Sequence, residues 1–467
     1  MSRLLKTLVP FTATKATATA SSLFTLLLLG RFPSSDTPVQ PTLQPSQNLH
    51  RGTVAGYSES QHLTSMSNKV QDAREATLWG MLIADAMAMP VHWYYNPNDI
   101  KAGYGGWLTG YRAPEKHHPS SILTLSATDN SGRNGWAEKS KPVIGNVILH
   151  DKLKYWTSQD RSIHYHQGMK AGDSTLNSMM ALRMLKTMTK HDPQGVMDER
   201  EIRGYVLEDY VKFMTTPSTH DDTYAESFHR SFFKDWSSEK SPPKTATELL
   251  KWTEARYVKK SKGSSDHQLV VIGAIVPAVP WVIRNAHKTE SECAESAIEF
   301  IKLTHPEPNL VPFIDMYARL LHRVINGKDV LQEINKCMER SELGGPRKRT
   351  MIQAYLENAS KYPPGSESQL GLCQSAISRL GMACYIDGSM SSLLFLAAQF
   401  KDNFNTGVLM NANCGGENCH RGAALGALLG AASVYQGQSI QASFKDGLGS
   451  SREGLLEILK DLRSSNL

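Results

Sequence analysis

The chain has little cysteine and uses it late. Its six cysteines, Cys293, Cys337, Cys373, Cys384, Cys414 and Cys419, are scattered, and none forms a Cys-x-x-Cys pair. That pattern argues against a disulfide scaffold and against structural zinc, and it fits a reducing compartment. Long apolar runs are missing as well. Leu23 to Leu29 (LFTLLLL) is apolar but too short to cross a bilayer, so no integral membrane span is expected. There is no long block of like charge. The first 66 residues hold five basic and two acidic side chains, which is half of the net charge of +6. The rest is nearly balanced, so no nucleic-acid partner is expected. Alternating strand patterns and Asn-Gly hairpin signals are scarce.

The N-terminus is a separate object. It has no acidic residue before Asp36, and it carries Arg3, Lys6, Lys15 and Arg31 among Thr, Ser and Ala. Such a composition resembles an organelle transit peptide, for a mitochondrion or a plastid; a cytoplasmic protein with a merely disordered tail is the alternative. Residues 32–66, rich in Ser, Pro, Gln and Thr, read as a disordered linker. The division is therefore a targeting segment over 1–66 and one folded domain over 67–467.

Beyond that point the periodicity is helical. Apolar residues recur at helical intervals in Val70–Met87, Leu176–Met188, Ile202–Met214, Leu269–Ile283, Ala294–Thr304, Val311–Ile325, Met390–Phe400 and Gly422–Tyr435. The expected fold class is all-α, a single compact multi-helix bundle.

The most informative stretch is NANCGGENCHRGAALGALLGAASVYQ, Asn411 to Gln436. Gly422, Gly426 and Gly430 fall every four residues, on one face of a helix, where another backbone can approach closely. Ahead of them, Gly415, Gly416, Glu417, Asn418, Cys419 and His420 form a polar loop at a helix start, a place suited to an anion or a metal-bound phosphate. On spacing alone, a tightly packed structural helix explains the stripe equally well.

Four further polar clusters stand out. Asp85 lies near a helix end, with His92 seven residues on. Gly172-Asp173-Ser174-Thr175 opens the helix that carries Asn177, and Asp173 or Ser174 is a natural N-cap. In Asp222 to Arg230, if that segment is helical, Asp222, Glu226 and His229 share one face suited to metal or acid–base chemistry, or to a salt-linked surface helix. Thr304-His305-Pro306 breaks a helix.

In order and content these segments resemble the ADP-ribosylglycohydrolase family, over about residues 70 to 436. Asp85 falls where the family has a Gly-Asp helix followed by Pro and Glu. Gly172-Asp173-Ser174-Thr175 falls on its Thr-Asp-Asp-Thr metal motif, and Thr304-His305 on its Thr-His element. Gly415 to His420 falls on its Gly-Gly-Asp-Thr-Asp-Thr motif. The resemblance implies an all-α bundle holding two Mg²⁺ or Mn²⁺ ions, with ADP-ribose across them. The metal-holding positions would be Asp173, Ser174, Thr175 and Glu417. The substrate-binding positions would be Asn177, Gly415, Gly416, Asn418 and His420, and the catalytic ones Asp85, His92, Asp222 and Glu226. The partner implied is an ADP-ribosylated protein or a small ADP-ribose conjugate.

The chain departs from the pattern at the ligands. Gly172 and Ser174 replace a Thr and an Asp, Cys419 and His420 replace an Asp and a Thr, and His92 replaces the Glu after Pro90. Two functions stay open: a metal-assisted hydrolase of an N- or O-ribosidic bond, or a non-catalytic relative that binds ADP-ribose or a nucleotide, or serves as a crystallin-like structural protein. Glu417, at a helix start, is expected to need no core partner, so its neutralisation should cost at most roughly 1 kcal/mol.

The basic, acid-free leader generates one prediction. Residues 1–66 fused to a fluorescent reporter should carry it into a mitochondrion or plastid. A diffuse cytosolic signal would sink the transit-peptide reading.

Overall fold

The computed structural model describes residues 54–129 and 142–465. Among the described residues, those from Tyr57 onward belong to one compact unit. Residues 1–53 of the expected targeting segment lie outside the described residues. Among the described residues there are eighteen α-helices and no strand, only three isolated bridges.

The helical periods land on real helices: Val54–Ala88, Leu176–His191, Glu199–Thr215, Glu290–Thr304, Val311–Ile325, Ile386–Gln399 and Asn418–Tyr435. The first begins well upstream of residue 67, so residues 54–66, expected as linker, are helical in backbone. Leu269–Ile283 is the exception. It splits into a 3₁₀ segment, Ile272–Ala278, and a short α-helix, Val279–Arg284. Pro277 and Pro280 lack the N–H that a continuous helix would need. Other helices have weaker periods but clear ends. Ala246–Lys260 opens with a Thr245/Glu248 capping box, a start signal that is readable in sequence.

The helix Asn418–Tyr435 is the axis of the core. Every residue from Asn418 to Ser433 is buried, as expected of a helix that is apolar all round. Its glycine face meets the helix Val54–Ala88 backbone to backbone. A Cβ on Gly426 would stand 2.1 Å from the Gly80 carbonyl oxygen, and one on Gly430 would stand 2.2 Å from that of Ala76. Gly80 reciprocates, 2.0 Å from the Gly426 carbonyl oxygen. Distances below 3 Å to backbone cannot be relieved by a rotamer change, so this crossing exists only because both helices carry glycine where they touch.

Gly426→Ala should therefore lower stability by at least the ~1–3 kcal/mol typical of an overpacked core. Urea denaturation measures it, and a variant as stable as the parent would refute the close crossing.

Candidate active site

The crossing sets two chain ends against each other. After Ala88 the first helix passes through a 3₁₀ turn, Met89–Val91, into His92 and Trp93. Trp93 has φ +64°, uncommon for a bulky side chain; such strain persists where the surroundings impose it and often marks a functional site. Here the surroundings are the glycine loop. Trp93 N–H donates to the Gly416 carbonyl at 2.8 Å, and Gly416 N–H donates to the Tyr94 carbonyl at 2.9 Å. Gly415 and Gly416 both have positive φ. A Cβ on Gly415 would lie 2.2 Å from the Tyr94 carbonyl oxygen, and one on Gly416 would lie 2.3 Å from that of Met382. Both positions are thus held in close backbone contact with the chain around them. Nor is the loop an open anion cradle: Glu417 N–H donates to Met382 O, and Asn418 N–H to Gly416 O. Asn418 is likewise structural, its amide donating to the carbonyls of Ala412 and Val91.

Glu417 is wholly buried. Its Oε2 accepts from Trp93 Nε1 at 2.6 Å. Its Oε1 pairs with His92 Nε2 at 2.9 Å. His92 Nδ1 meets His166 Nε2 at 2.7 Å, and His166 Nδ1 meets Asp222 Oδ1 at 2.7 Å. The result is a buried chain, Glu417–His92–His166–Asp222. Its three links need three protons, and two neutral imidazoles carry only two. Burial would raise both carboxyls. The His92 and His420 rings outweigh it and hold Glu417 well below its usual range. The His166 ring and backbone N–H groups hold Asp222 below its own. With both carboxyls ionised, His92 Nε2 and His166 Nδ1 are the donors to them, and the contact between the two rings is left one proton short. The contacts of Glu417 overturn the expectation that it needs no core partner.

The start of the helix Leu176–His191 is capped from outside. The N-cap is Thr175, not Asp173 or Ser174, and its own side chain makes no cap. Instead Asp85 accepts from Thr175 N–H at 2.6 Å and from the Thr175 hydroxyl at 2.7 Å. Asp222 Oδ2 accepts from Leu176 N–H at 2.8 Å. Two carboxylates thus satisfy free N–H groups at the positive end of the helix dipole. Ser174 Oγ is buried without a partner. Asp173 faces elsewhere: it accepts from Lys170 N–H and from the N–H and hydroxyl of Ser450. Its expected pairing with Glu417 is replaced by this tie to the C-terminal segment.

The segment expected as a helix from Asp222 is extended, and the helix begins at Ser227. Asp222 takes Tyr224 N–H onto its own carboxylate, and the Thr223 carbonyl accepts from Trp156 Nε1, so neither group is free for helical bonding. Asp222 and Glu226 nevertheless reach the same buried region. Glu226 Oε2 accepts from Asn177 Nδ2 at 2.6 Å. Asn177 Oδ1 meets His229 Nε2 at 3.1 Å, and His229 Nδ1 meets the Tyr210 hydroxyl at 2.8 Å. His305 is buried beside this line, 3.8 Å between ring centres from Phe228. His420 Nδ1 lies 2.8 Å from Glu417 Oε1 and 3.4 Å from Glu226 Oε1, without the alignment of a hydrogen bond.

The electrostatics differ from group to group. Burial pushes Asp85 up to about 6, against the Thr175 donors, and it also raises Glu226. Burial lowers His92 to about 4, only partly offset by Glu417. Burial would lower His420 too, but Glu226 and Glu417 outweigh it and hold the ring up at about 10. Burial pushes the Cys419 thiol well up, which rules it out as a ready nucleophile.

A cavity of about 370 Å³ opens beside these groups, lined by Trp93, Tyr165, Tyr224, Tyr385, Arg230 and Glu226 among others. Tyr385 is half exposed. Trp93 joins the cavity wall to the buried chain through its bond to Glu417. A larger groove, about 650 Å³, runs along Trp79, Lys445 and Arg463, but it holds no comparable cluster, and its Glu75 is paired with Arg463.

A model of the ADP-ribosylglycohydrolase family matches residues 66–466. The chain belongs to the ADP-ribosylglycohydrolase family. A solved structure described as an "ADP-ribosylglycohydrolase-related protein complex" aligns with 86% of this chain and 100% of its own, at 15% identity and a TM-score of 0.45, too remote to transfer any residue's role. Comparison with curated proteins gives no match. The family acts on ADP-ribosylated substrates and is usually metal-dependent. No described helix is long and apolar enough to cross a membrane.

Of the positions implied by resemblance to the ADP-ribosylglycohydrolase family, Asp85, His92, Thr175, Asn177, Asp222, Glu226, Glu417 and His420 join one buried network. Asp173 is bonded to Lys170 and Ser450, Gly415, Gly416 and Asn418 make close backbone contacts or bonds, and Ser174 Oγ is buried without a hydrogen-bond partner. His166, Trp93 and the tyrosines of the cavity were not singled out in the sequence. The alternation His164-Tyr165-His166 was the available signal for the first. Two groups could hold a metal ion by proximity: His92, His166 and Cys419, and His92, Glu417 and His420. Both are mixed sets with nitrogen, unlike the all-oxygen shell that Mg²⁺ demands.

Two predictions follow from the burial of these groups. Glu417→Gln should cost about 3–5 kcal/mol of stability, because it removes one member of a buried charged network; a loss near 1 kcal/mol would refute the buried geometry. The pH dependence is the second. Folded His92 and His118 protonate near 4 and His305 near 3, in each case through burial, against an ordinary 6.5. Unfolding in that window binds protons, so stability should fall as pH drops from 6.5 towards 4. Asp85 opposes this between 3.8 and about 6, and Glu226, also raised, acts in the same sense, while burial lowers His164 and His229 as well and adds to the loss. The contribution of His420 should disappear as pH rises from 6.5 through about 10. Thermal melts should peak near neutrality, and a flat profile on the acid side would contradict the buried imidazoles.

Proposed function

We propose that the protein is a glycohydrolase cleaving the N- or O-ribosidic bond of an ADP-ribosylated protein or small ADP-ribose conjugate. The observation that carries this reading is the position of Glu226, a carboxyl raised by burial in the wall of an aromatic cavity. Burial makes the Glu226 carboxyl easier to protonate; in its acid form it would protonate the leaving group, and the carboxylate left behind would take a proton from the attacking water. Glu417, held ionised behind Trp93, supplies negative potential towards an oxocarbenium-like centre. The tyrosines offer faces for a base, and Arg230 a charge for a diphosphate. The volume lies in the range of small-molecule sites. The two Mg²⁺ or Mn²⁺ ions implied by the family resemblance do not fit this donor set, so no step is routed through them. An organellar address remains part of the reading, supported by the composition of the leader.

A second reading has its own support. Asp85, Asp222 and Glu417 all turn inward onto protein donors, which suits a relative that binds ADP-ribose without turnover.

Glu226→Gln should lower turnover by about 10²–10⁴-fold while ADP-ribose affinity stays within a few-fold. Release of ADP-ribose from modified protein, paired with calorimetric binding, measures both. Unchanged turnover removes Glu226 from the chemistry. Binding without release by the parent protein selects the second reading.

A further inference from the structure

We propose that this chain holds its site carboxylates without any divalent ion, its own N–H and O–H donors turning each carboxylate onto protein. The inference rests on the substrate reading above, and on an oxygen-by-oxygen inventory of the carboxylates. Asp85 has one oxygen on the Thr175 hydroxyl and the other on Thr175 N–H. Asp222 has Oδ1 on His166 and on Tyr224 N–H, and Oδ2 on Leu176 N–H. Glu417 has Oε1 on His92 and Oε2 on Trp93. Asp173 is spent on Lys170 and Ser450. Glu226 Oε2 is held by Asn177. The remaining oxygen, Glu226 Oε1, has His420 Nδ1 at 3.4 Å.

A small divalent cation asks for near-octahedral oxygen at about 2.0–2.1 Å. To bring even three such oxygens onto one point, Asp85, Asp222 and Glu417 would have to turn away from buried donors that they now accept from. Each bond lost costs about 1–3 kcal/mol, and more where the partner is charged. Softer ions fare no better. In the group His92, Glu417 and His420, the ring nitrogens lie 2.9 and 2.8 Å from one carboxylate oxygen. The nitrogens converge on that oxygen, not on a vacant point between the three. In the group with His166, the two rings are linked to each other at 2.7 Å. The substitutions read in the sequence explain the change. His92 stands where the family pattern has a Glu, and His420 where it has a Thr. Both bring imidazole nitrogens to Glu417, so protons take the place of metal charge.

The test uses the full chain, purified and exhaustively chelated. Elemental analysis before chelation should find zinc, iron, manganese and magnesium far below one equivalent. Titration with Mn²⁺, followed by electron paramagnetic resonance, should show no saturable site. Calorimetric affinity for ADP-ribose should agree within about twofold with and without chelator. A stoichiometric metal, a saturable Mn²⁺ site, or a tenfold or greater loss of ADP-ribose affinity on chelation (about 1.4 kcal/mol) would overturn the proposal. Failure to bind ADP-ribose under every condition would instead defeat the substrate reading, while the metal measurements would still decide this one.

Discussion

The contact between Gly80 and Gly426 governs the arrangement of everything else. Two helices distant in sequence touch through their backbones, and nothing larger than hydrogen fits between them. The approach fixes the end of the first helix against the start of the glycine helix. Asp85 and His92 leave one partner, and Glu417 and His420 belong to the other. A wider crossing would move these groups apart by more than a hydrogen bond tolerates.

From that constraint the network follows in order. The turn at Trp93 is held in its left-handed conformation by reciprocal backbone bonds to the glycine loop, and this points both Trp93 Nε1 and His92 Nε2 at one carboxylate. His92 then presents its second nitrogen to His166, which presents its own to Asp222. Asp222 closes the circuit on the amide of Leu176. Each ring is fixed on both nitrogens, so its orientation is set by bonds at each end and not by packing alone.

How much of this was legible depended on the range of the signal. The glycine stripe was visible because a four-residue period is local and has one steric meaning. The all-helical class was visible because apolar periods repeat along the chain. Leu269–Ile283 misled because its apolar residues keep a helical spacing while its prolines remove the hydrogen bonds. Asp222 to Glu226 misled in the opposite way: helical spacing put the carboxylates on one face, and an extended chain delivered them to the same place by another route. Glu417 reads in the sequence as a metal-holding residue that needs no core partner, because a helix start is the ordinary home of an acid. That it faces His92, 325 residues earlier, is a fact of tertiary structure that no local pattern encodes. Asp173 keeps the residue type that the motif asks for, and its bonds to Lys170 and Ser450 are likewise invisible to a local pattern.

The burial of these groups is itself an argument about function. An ion pair removed from water gains little net stability over apolar residues of the same volume. A domain of this size, with a core extending through the whole helix Asn418–Tyr435, does not need Glu417, Asp222 and three imidazoles to fold. Apolar residues of the same volume would serve a purely structural role as well, yet His92 and His420, where the family resemblance implies a Glu and a Thr, are themselves titratable. The arrangement pays in stability for a field of fixed protons and carboxylates beside an aromatic cavity, and such a field is useful only if something charged, or becoming charged, enters that cavity.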